Sequence, residues 1–450
     1  MRLHQFLVSL FMITITIAVD ITIGDVDSVC EAAKYVADGE WNYYEGLKYG
    51  GVVGMFASPN YWWNAGEAFG GMVIYYTFCD NKNESLRDLI VDGMYAQAGS
   101  DYNYIPSNQS LTEGNDDQGV WGMAIMEAAE RNLTQPSDDH SWIALSQAIF
   151  NTMNARWDTS HCSGGLRWQI FTWNSGYDYK NTISNGLLFH LAARLARYTG
   201  NDSYVDTAEK VWNWMSDVGF FNRDGDDLII YDGAKIANNC SAITKTRWSY
   251  TYGILLSGCA YLYNHTQDET WKEYSEEIIR VAVDYFQSDG IMSEASCASG
   301  SHCNNDQRSF RSLFSRCLGV ASVLIPGSDS LMSDFLTKSA EAAAQSCSGG
   351  TDGVTCGEDW TASGYDGVYG LGEQMSALEV MLSTIQGNFA APLTVDTGGN
   401  NDTDSEAGLG SEVQTNSNEV KISGKDKAGA GVLTAVVLAI LSGGGAWMIF

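Results

Sequence analysis

Positive charge is scarce in this chain. Lys and Arg together number 25 of 450 residues against 55 Asp and Glu, a net charge of −30. Nucleic acid and anionic lipid headgroups both need a basic face, so neither is expected as a partner. No Cys-x-x-Cys pair occurs and the 6 His are scattered, which leaves zinc without its ligand spacing. No metal and no cofactor is expected. Residues 222–233 have the acidic spacing of a calcium loop but lack the Glu that completes an EF-hand. Residues 394–427 contain no aromatic side chain and are dense in Asp, Gly, Ser, Thr and Asn, so they read as a disordered stalk. No Lys or Arg follows the apolar run 432–450 to hold it as a membrane-spanning anchor.

What is present fits the secretory pathway. An apolar run from Phe6 to Val19, after Arg2 and with small residues at Thr16 and Ala18, reads as a signal peptide over 1–18. The C-terminal apolar run behind a polar spacer has the pattern of a GPI-attachment signal, with Asn416, Ser417, Asn418 or Ser423 as the attachment residue. The alternative is a single-pass tail anchor. Ten cysteines lie between Cys30 and Cys356, an even count that argues for disulfides. Cys297 with Cys303, and Cys347 with Cys356, are spaced to staple local loops; the spacing leaves the other six unpaired. Glycosylation sequons stand at Asn83, Asn108, Asn132, Asn201, Asn239, Asn264 and Asn401. The outer face of the plasma membrane and the cell wall is the expected location.

Between these ends the chain shows a repeat of architecture. Twelve helices are predicted, over 28–48, 64–80, 84–99, 116–132, 139–156, 181–199, 202–218, 248–264, 268–287, 306–325, 328–346 and 370–386. Alternate ones are apolar or small on nearly all sides, as in Gly66–Tyr76, Gly186–Leu195 and Gly253–Ala260. A helix apolar all round is buried, and the intervening ones carry one charged face. Six buried helices alternating with six half-buried ones predict an all-α fold, an (α/α)6 toroid with a few irregular or β-ribbon loops. One such ribbon is expected over a cleft at Gly164–Tyr179.

In that toroid the loops leading into the inner helices gather at one end. Nearly all of them combine aromatic and polar residues: Asn60–Asn64, Asn115–Gln118, Tyr177–Asn181, Arg247–Tyr252, Asn305–Arg308 and Tyr365–Tyr369. With 14 Trp, 23 Tyr and 16 Phe in the chain, aromatic platforms beside amides and carboxylates suit a neutral polyhydroxylated ligand. The adjacent Asp116 and Asp117 open one inner helix. Asp at a helix start is also an ordinary cap; as a cleft pair, the two carboxyls can do nucleophilic and acid/base work on a sugar.

The run Asn115-Asp116-Asp117-Gln118 at a helix start is similar to glycoside hydrolase family 76, the endo-α-1,6-mannanases, and within it to fungal GPI-anchored members that act in cell-wall biogenesis. Asn181–Gly186, Trp248–Gly253 and Asp306–Arg311 support the resemblance, which covers about residues 25–390. It implies an (α/α)6 fold and a retaining pair, Asp116 as nucleophile and Asp117 as acid/base. It also implies α-mannan or the GPI-core glycan as donor, and a glucan acceptor if the glycosyl-enzyme is resolved by a sugar instead of water. The expected sugar-binding set is Trp62, Asn64, Asn115, Gln118, Trp173, Tyr177, Asn181, Asn185, Trp248, Tyr250 and Asp306, each with helix capping or core packing as its alternative. The protein is expected to be a monomer. Two other readings stay open: a non-catalytic mannan-binding wall protein, and an inverting glycosidase in which Asp306 or Asp366 is the second carboxylate.

Overall fold

A computed structural model describes residues 18–298, 303–351 and 353–409, with residues 431, 434, 437 and 438 of the tail. All but the last residue of the expected signal peptide, the four attachment residues and most of the run 432–450 lie outside them. Among the described residues no helix is long and apolar enough to cross a membrane.

The described residues are mostly helical with a few short strands. Twelve long helices form, α1 (Val26–Trp41), α2 (Trp62–Cys79), α3 (Glu84–Tyr95), α4 (Asn115–Glu130), α5 (Trp142–Ala155), α6 (Thr182–Thr199), α7 (Ser203–Asp217), α8 (Ser249–Thr266), α9 (Glu269–Tyr285), α11 (Phe310–Leu324), α12 (Asp329–Ser346) and α13 (Leu371–Ser383), with a single turn α10 (Ala295–Ala298). Each long helix falls on a predicted segment. The expectation for the first one overshoots: it stops at Trp41 because residues 42–54 turn repeatedly, with positive φ at Gly50 and Gly54.

Helices α2, α4, α6, α8, α11 and α13 each pack on the next, and α13 packs back on α2. Helices α1, α3, α5, α7, α9 and α12 lie against them from outside. Small residues set the close spacing of the inner set. A Cβ at Gly258 would sit 2.3 Å from the Phe189 ring, and one at Gly119 2.7 Å from Leu187. The outer helices are amphipathic, as in α9, where Trp271, Ile278, Ile279 and Ala282 are buried and Glu273 and Glu276 are not. Deep in the assembly the inner helices also carry charge. Arg194 of α6 donates to Glu127 and Glu130 of α4, and Arg316 of α11 to Glu379 of α13.

The strands are local. β1 (Tyr179–Asn181), β4 (Gly233–Lys235) and β5 (Ile243–Thr244) form a three-stranded antiparallel sheet in the order β1-β4-β5, with Tyr179 opposite Lys235. β2 (Phe221–Asp224) and β3 (Asp227–Ile230) make a hairpin across the stretch with calcium-like spacing, and Asp227 pairs there with Arg280. β6 (Gln287–Ser288) and β7 (Ile291–Met292) make a second hairpin.

The structure corrects three expectations. Residues 394–409, read as the start of a disordered stalk, are docked on the domain. Ser141 Oγ donates to Asp402 O at 2.6 Å, Asn151 to the carbonyls of Ser405 and Ala407, and Tyr198 to Asn400 O. Backbone carbonyls supply this docking, so a lack of apolar side chains does not prevent it. Of the six cysteines left unassigned, Cys30 bonds Cys79 and Cys162 bonds Cys240, whereas Cys259 and Cys317 are free thiols buried among the inner helices; the pairs Cys297–Cys303 and Cys347–Cys356 form as spaced. Among the sequons, Asn83, Asn108, Asn132, Asn201, Asn239 and Asn401 are exposed. Asn264 is half-buried, its oxygen bonded by Arg197 and its Nδ2 donating to Leu324 O, a poor place for a glycan.

Candidate active site

Asp116 and Asp117 occupy the first turn of α4. Gly114 precedes them in extended backbone as the N-cap, and its N–H donates to Asp117 Oδ2 at 2.5 Å. Asp116 Oδ1 accepts from the Asp117 N–H at 3.1 Å, and the Trp168 indole also bonds the Asp116 carboxyl. Glycine is required at 114, because a Cβ there would stand 2.3 Å from Asp116 Oδ1 and 2.8 Å from Trp168 O. The loop 164–179 clamps this turn. Asn115 N–H donates to Trp168 O at 2.8 Å, and Gly114 and Gln169 form a single antiparallel bridge. The expected ribbon is thus an irregular loop that enters a sheet only at β1.

Both carboxyls open on a cleft of about 420 Å³. Its walls are Tyr61, Trp62, Trp63, Trp168, Tyr250 and Phe310, with Leu111, Val120 and Ile183. Tyr250 and Phe310 stack face to face, ring centroids 3.8 Å apart and 5° from parallel. Among the described residues, four carboxyls reach this cleft, Glu113, Asp116, Asp117 and Asp306, and no Lys or Arg lines it. Aromatic walls, amides and acids without cations fit a neutral sugar.

Burial decides the protonation of these acids. It pushes Asp116 up to about 7, against the hydrogen bonds from Asp117 and Trp168. It pushes Asp117 well above the carboxylate range, and the neighbouring Asp116 charge pushes it further. The order suits a division of labour: Asp117 holds a proton while Asp116 is the first of the two to ionise. Asp306 rises to about 6 through burial, with the Trp63 indole opposing.

These shifts make stability depend on pH. Burial also lifts Glu67 and Glu294 to about 8 from an ordinary 4.5. The native state therefore keeps protons that the unfolded chain releases. Their stabilisation is complete below the unfolded values and is lost as pH rises through the native ones. His190, held neutral by burial, works in the opposite sense, as one group against many. Asp158 is buried yet held down to about 2 by Ser160, Lys180 and Arg167, so its contribution is lost only in strong acid. The expected result is a higher Tm at pH 5 than at pH 8 by scanning calorimetry; the reverse order would contradict these shifts.

Of the eleven expected sugar-binding residues, Trp62, Tyr250 and Asp306 line the cleft with Asp116 and Asp117. The other eight do not line it and have partners within the fold. Asn64 accepts from the Tyr61 N–H as a cap of α2, and Asn181 caps α6 through Ser184 N–H. Asn185 holds both backbone groups of Leu166, and Asn115 and Gln118 are buried under α4. Trp248 donates to Asp232, and the Tyr177 ring lies under the Arg167 guanidinium. Trp173 is exposed, stacks on Phe171 and donates to Ser110 O. Asp366 accepts from the N–H groups of Glu358, Asp359 and Val368 and lies outside this cleft. The sequence reading passed over Glu113, Trp63, Trp168 and Phe310. Trp63 and Trp168 lie within stretches it singled out, and Trp63 lines the cleft together with its neighbours Tyr61 and Trp62.

Comparison with known proteins gives the family. Residues 28–396 match glycosyl hydrolase family 76. The chain is 64% identical to the mannan endo-1,6-alpha-mannosidase DFG5 of Candida albicans, over 99% of this chain and 100% of that protein. It is 50% identical to DFG5 of Saccharomyces cerevisiae, over 97% and 95%. The crystal structure of Dfg5 from Chaetomium thermophilum in complex with glucosamine superimposes with a TM-score of 0.83 at 34% identity, covering 88% of this chain and 99% of that one. An inactive variant of an α-1,6-mannanase from Salegentibacter, in complex with α-1,6-mannotriose, shares the fold with a TM-score of 0.62 at 16% identity, over 80% and 99%.

Proposed function

This chain belongs to glycosyl hydrolase family 76, and from that premise we propose that it is a retaining endo-α-1,6-mannosidase that works by double displacement. It is a glycoside hydrolase that acts on mannan, like its relatives. The closed succession of contacts from α2 round to α13 and back supports the (α/α)6 toroid. The observation that carries the mechanism is the adjacent pair Asp116 and Asp117 on the floor of an aromatic cleft, with the second the stronger holder of its proton.

Asp116 attacks the anomeric carbon of an α-mannosyl unit. The bond from that carbon to the glycosidic oxygen breaks, and Asp117 gives its proton to the departing oxygen. An incoming hydroxyl then attacks the anomeric carbon, Asp117 takes its proton, and Asp116 leaves. Gly114 N–H occupies Asp117 Oδ2, which leaves Oδ1 to carry the proton. Water as the incoming group gives hydrolysis; a sugar hydroxyl gives transglycosylation. The acidic surface, the sequons and the terminal apolar runs support a cell-surface enzyme, GPI-anchored, acting on mannan or the GPI-core glycan with wall glucan as acceptor.

The test is the first product from α-1,6-mannotetraose, followed by NMR and mass. An α-anomeric first product is expected. A β-anomer would mean inversion, with Asp306 as the second carboxylate, since it lines the same cleft. Products longer than the substrate would establish transfer.

A further inference from the structure

The residues on either side of the aspartate pair never reach the cleft. Asn115 and Gln118 are buried, and one guanidinium holds both. Arg156, the C-cap of α5, donates from Nε to Asn115 Oδ1 at 2.8 Å and from Nη2 to Gln118 Oε1. The free ends of the two amides are anchored in turn. Gln118 Nε2 donates to Asn103 O at 2.7 Å and Thr152 Oγ1 at 2.9 Å, and Asn115 Nδ2 to Arg167 O at 2.8 Å. The chain from Arg167 continues to Trp168, whose indole bonds Asp116.

Stability alone does not explain this arginine. Arg131, Arg194, Arg308 and Arg316 each pair with a glutamate. Arg156 has no carboxylate within ion-pair distance among the described residues, and its Nη1 has no hydrogen-bond partner. A buried cation without a pair is costly. The carboxyl whose charge it feels is Glu113, which is itself raised by the neighbouring Asp117 and whose two oxygens are buried without partners. The planar fork of a guanidinium can grip two acceptors at fixed angles, which an ammonium cannot do.

We propose that Arg156 is a positioning residue for the carboxyl pair. Its two-pronged grip on Asn115 and Gln118 fixes the first turn of α4 so that Asp116 and Asp117 both aim into the cleft. This rests on the reading of those two aspartates as the reacting groups. The charge that bears on both of them from outside the pair is Asp306, while Asp116 in turn raises Tyr250, and Glu113 is raised by Asp117 and lowered by Arg156.

The test compares Arg156→Lys and Asn115→Ala with the unaltered protein. Lysine keeps the charge and loses the fork; alanine cuts one prong. For Arg156→Lys, kcat on α-1,6-mannotetraose should fall by about 10² with KM within about twofold, the signature of reacting groups misplaced after binding. The acid limb of the pH–rate profile should also move. Asn115→Ala should show the same pattern with a smaller loss. A second readout does not depend on the substrate: carboxyl-carbon NMR of 13C-labelled Asp follows the titration of Asp116 and Asp117 directly, and at least one midpoint should shift in Arg156→Lys. If the unaltered protein leaves mannotetraose untouched, the substrate reading fails and the titration still decides the role of Arg156. Superimposable pH profiles and titrations, with kcat lost only in proportion to unfolded protein, would overturn the proposal. So would failure of both variants to fold, because the clasp would then be a folding element only.

Discussion

Asp116→Asn should lose essentially all turnover, with a fall in kcat on the order of 10⁵ to 10⁶, the scale seen when a covalent catalyst loses its nucleophile. Asp117→Asn should lose less, about 10² to 10⁴, because general acid catalysis contributes that much. The two variants should differ further with an activated aryl α-mannoside. A good leaving group departs without a proton, so Asp117→Asn should regain its first step and accumulate the mannosyl-enzyme. Asp116→Asn has nothing to form that bond with and should stay inert. Both should still bind mannooligosaccharide, because Tyr250, Phe310 and the tryptophan walls are untouched. The readouts are steady-state kinetics on both substrates and intact-protein mass after rapid quenching. Equal losses on the aryl substrate would undo the division of roles. The proposed direction of the assignment rests on the balance at each carboxyl. Trp168 and the Asp117 N–H both donate to Asp116 and favour its charge, whereas at Asp117 burial and the Asp116 charge outweigh the bond from the Gly114 N–H.

The fold was legible because the inner helices announce themselves. Gly66–Tyr76 and Gly253–Ala260 have no charged face long enough for solvent, so they had to be inside, and their alternation with amphipathic helices fixed the count. The aspartate pair was legible for a different reason: two acids opening a helix otherwise bound for the interior have a narrow choice of surroundings. The sugar-binding residues were harder. Asn64 and Asn181 sit at the predicted loop ends, where an asparagine beside a helix start also meets orphan backbone groups, and both bond to them here. Glu113 was missed because an acid in a polar loop looks exposed, whereas here it is buried and the Ile170 N–H of the clamping loop donates to its carbonyl. The docked strap at 394–409 shows the limit of composition, since its partners on the domain bond mainly to its backbone.

The charges inside the helix assembly lead to the second large expectation: Arg194→Met should lower stability by roughly 3–5 kcal/mol, the cost of leaving buried carboxylates without their partner. Arg194 donates to Glu127 Oε2 at 3.0 Å, to Glu130 at 2.6 and 3.1 Å, and to Met123 O at 3.1 Å. Tyr261 of α8 adds a bond to Glu130 at 2.6 Å, so three consecutive inner helices meet at one guanidinium. The effect should be far larger than for an exposed pair such as Lys34–Asp38, whose removal costs at most a few tenths of a kcal/mol. Calorimetry should show a Tm drop on the order of 10 °C, and a variant within about 2 °C of the parent would mean the network relaxes freely. The double variant Glu130→Gln with Arg194→Met should recover part of the loss, because it removes a stranded charge along with its partner. Activity offers the second check. The network lies at the C-terminal end of α4, whereas Asp116 and Asp117 lie at its start. At a temperature where Arg194→Met is folded, kcat should therefore remain near that of the parent. The interior charges tie the C-terminal half of α4 to its neighbours, and the loop 164–179 clamps the other end of the same helix, where Asp116 and Asp117 stand.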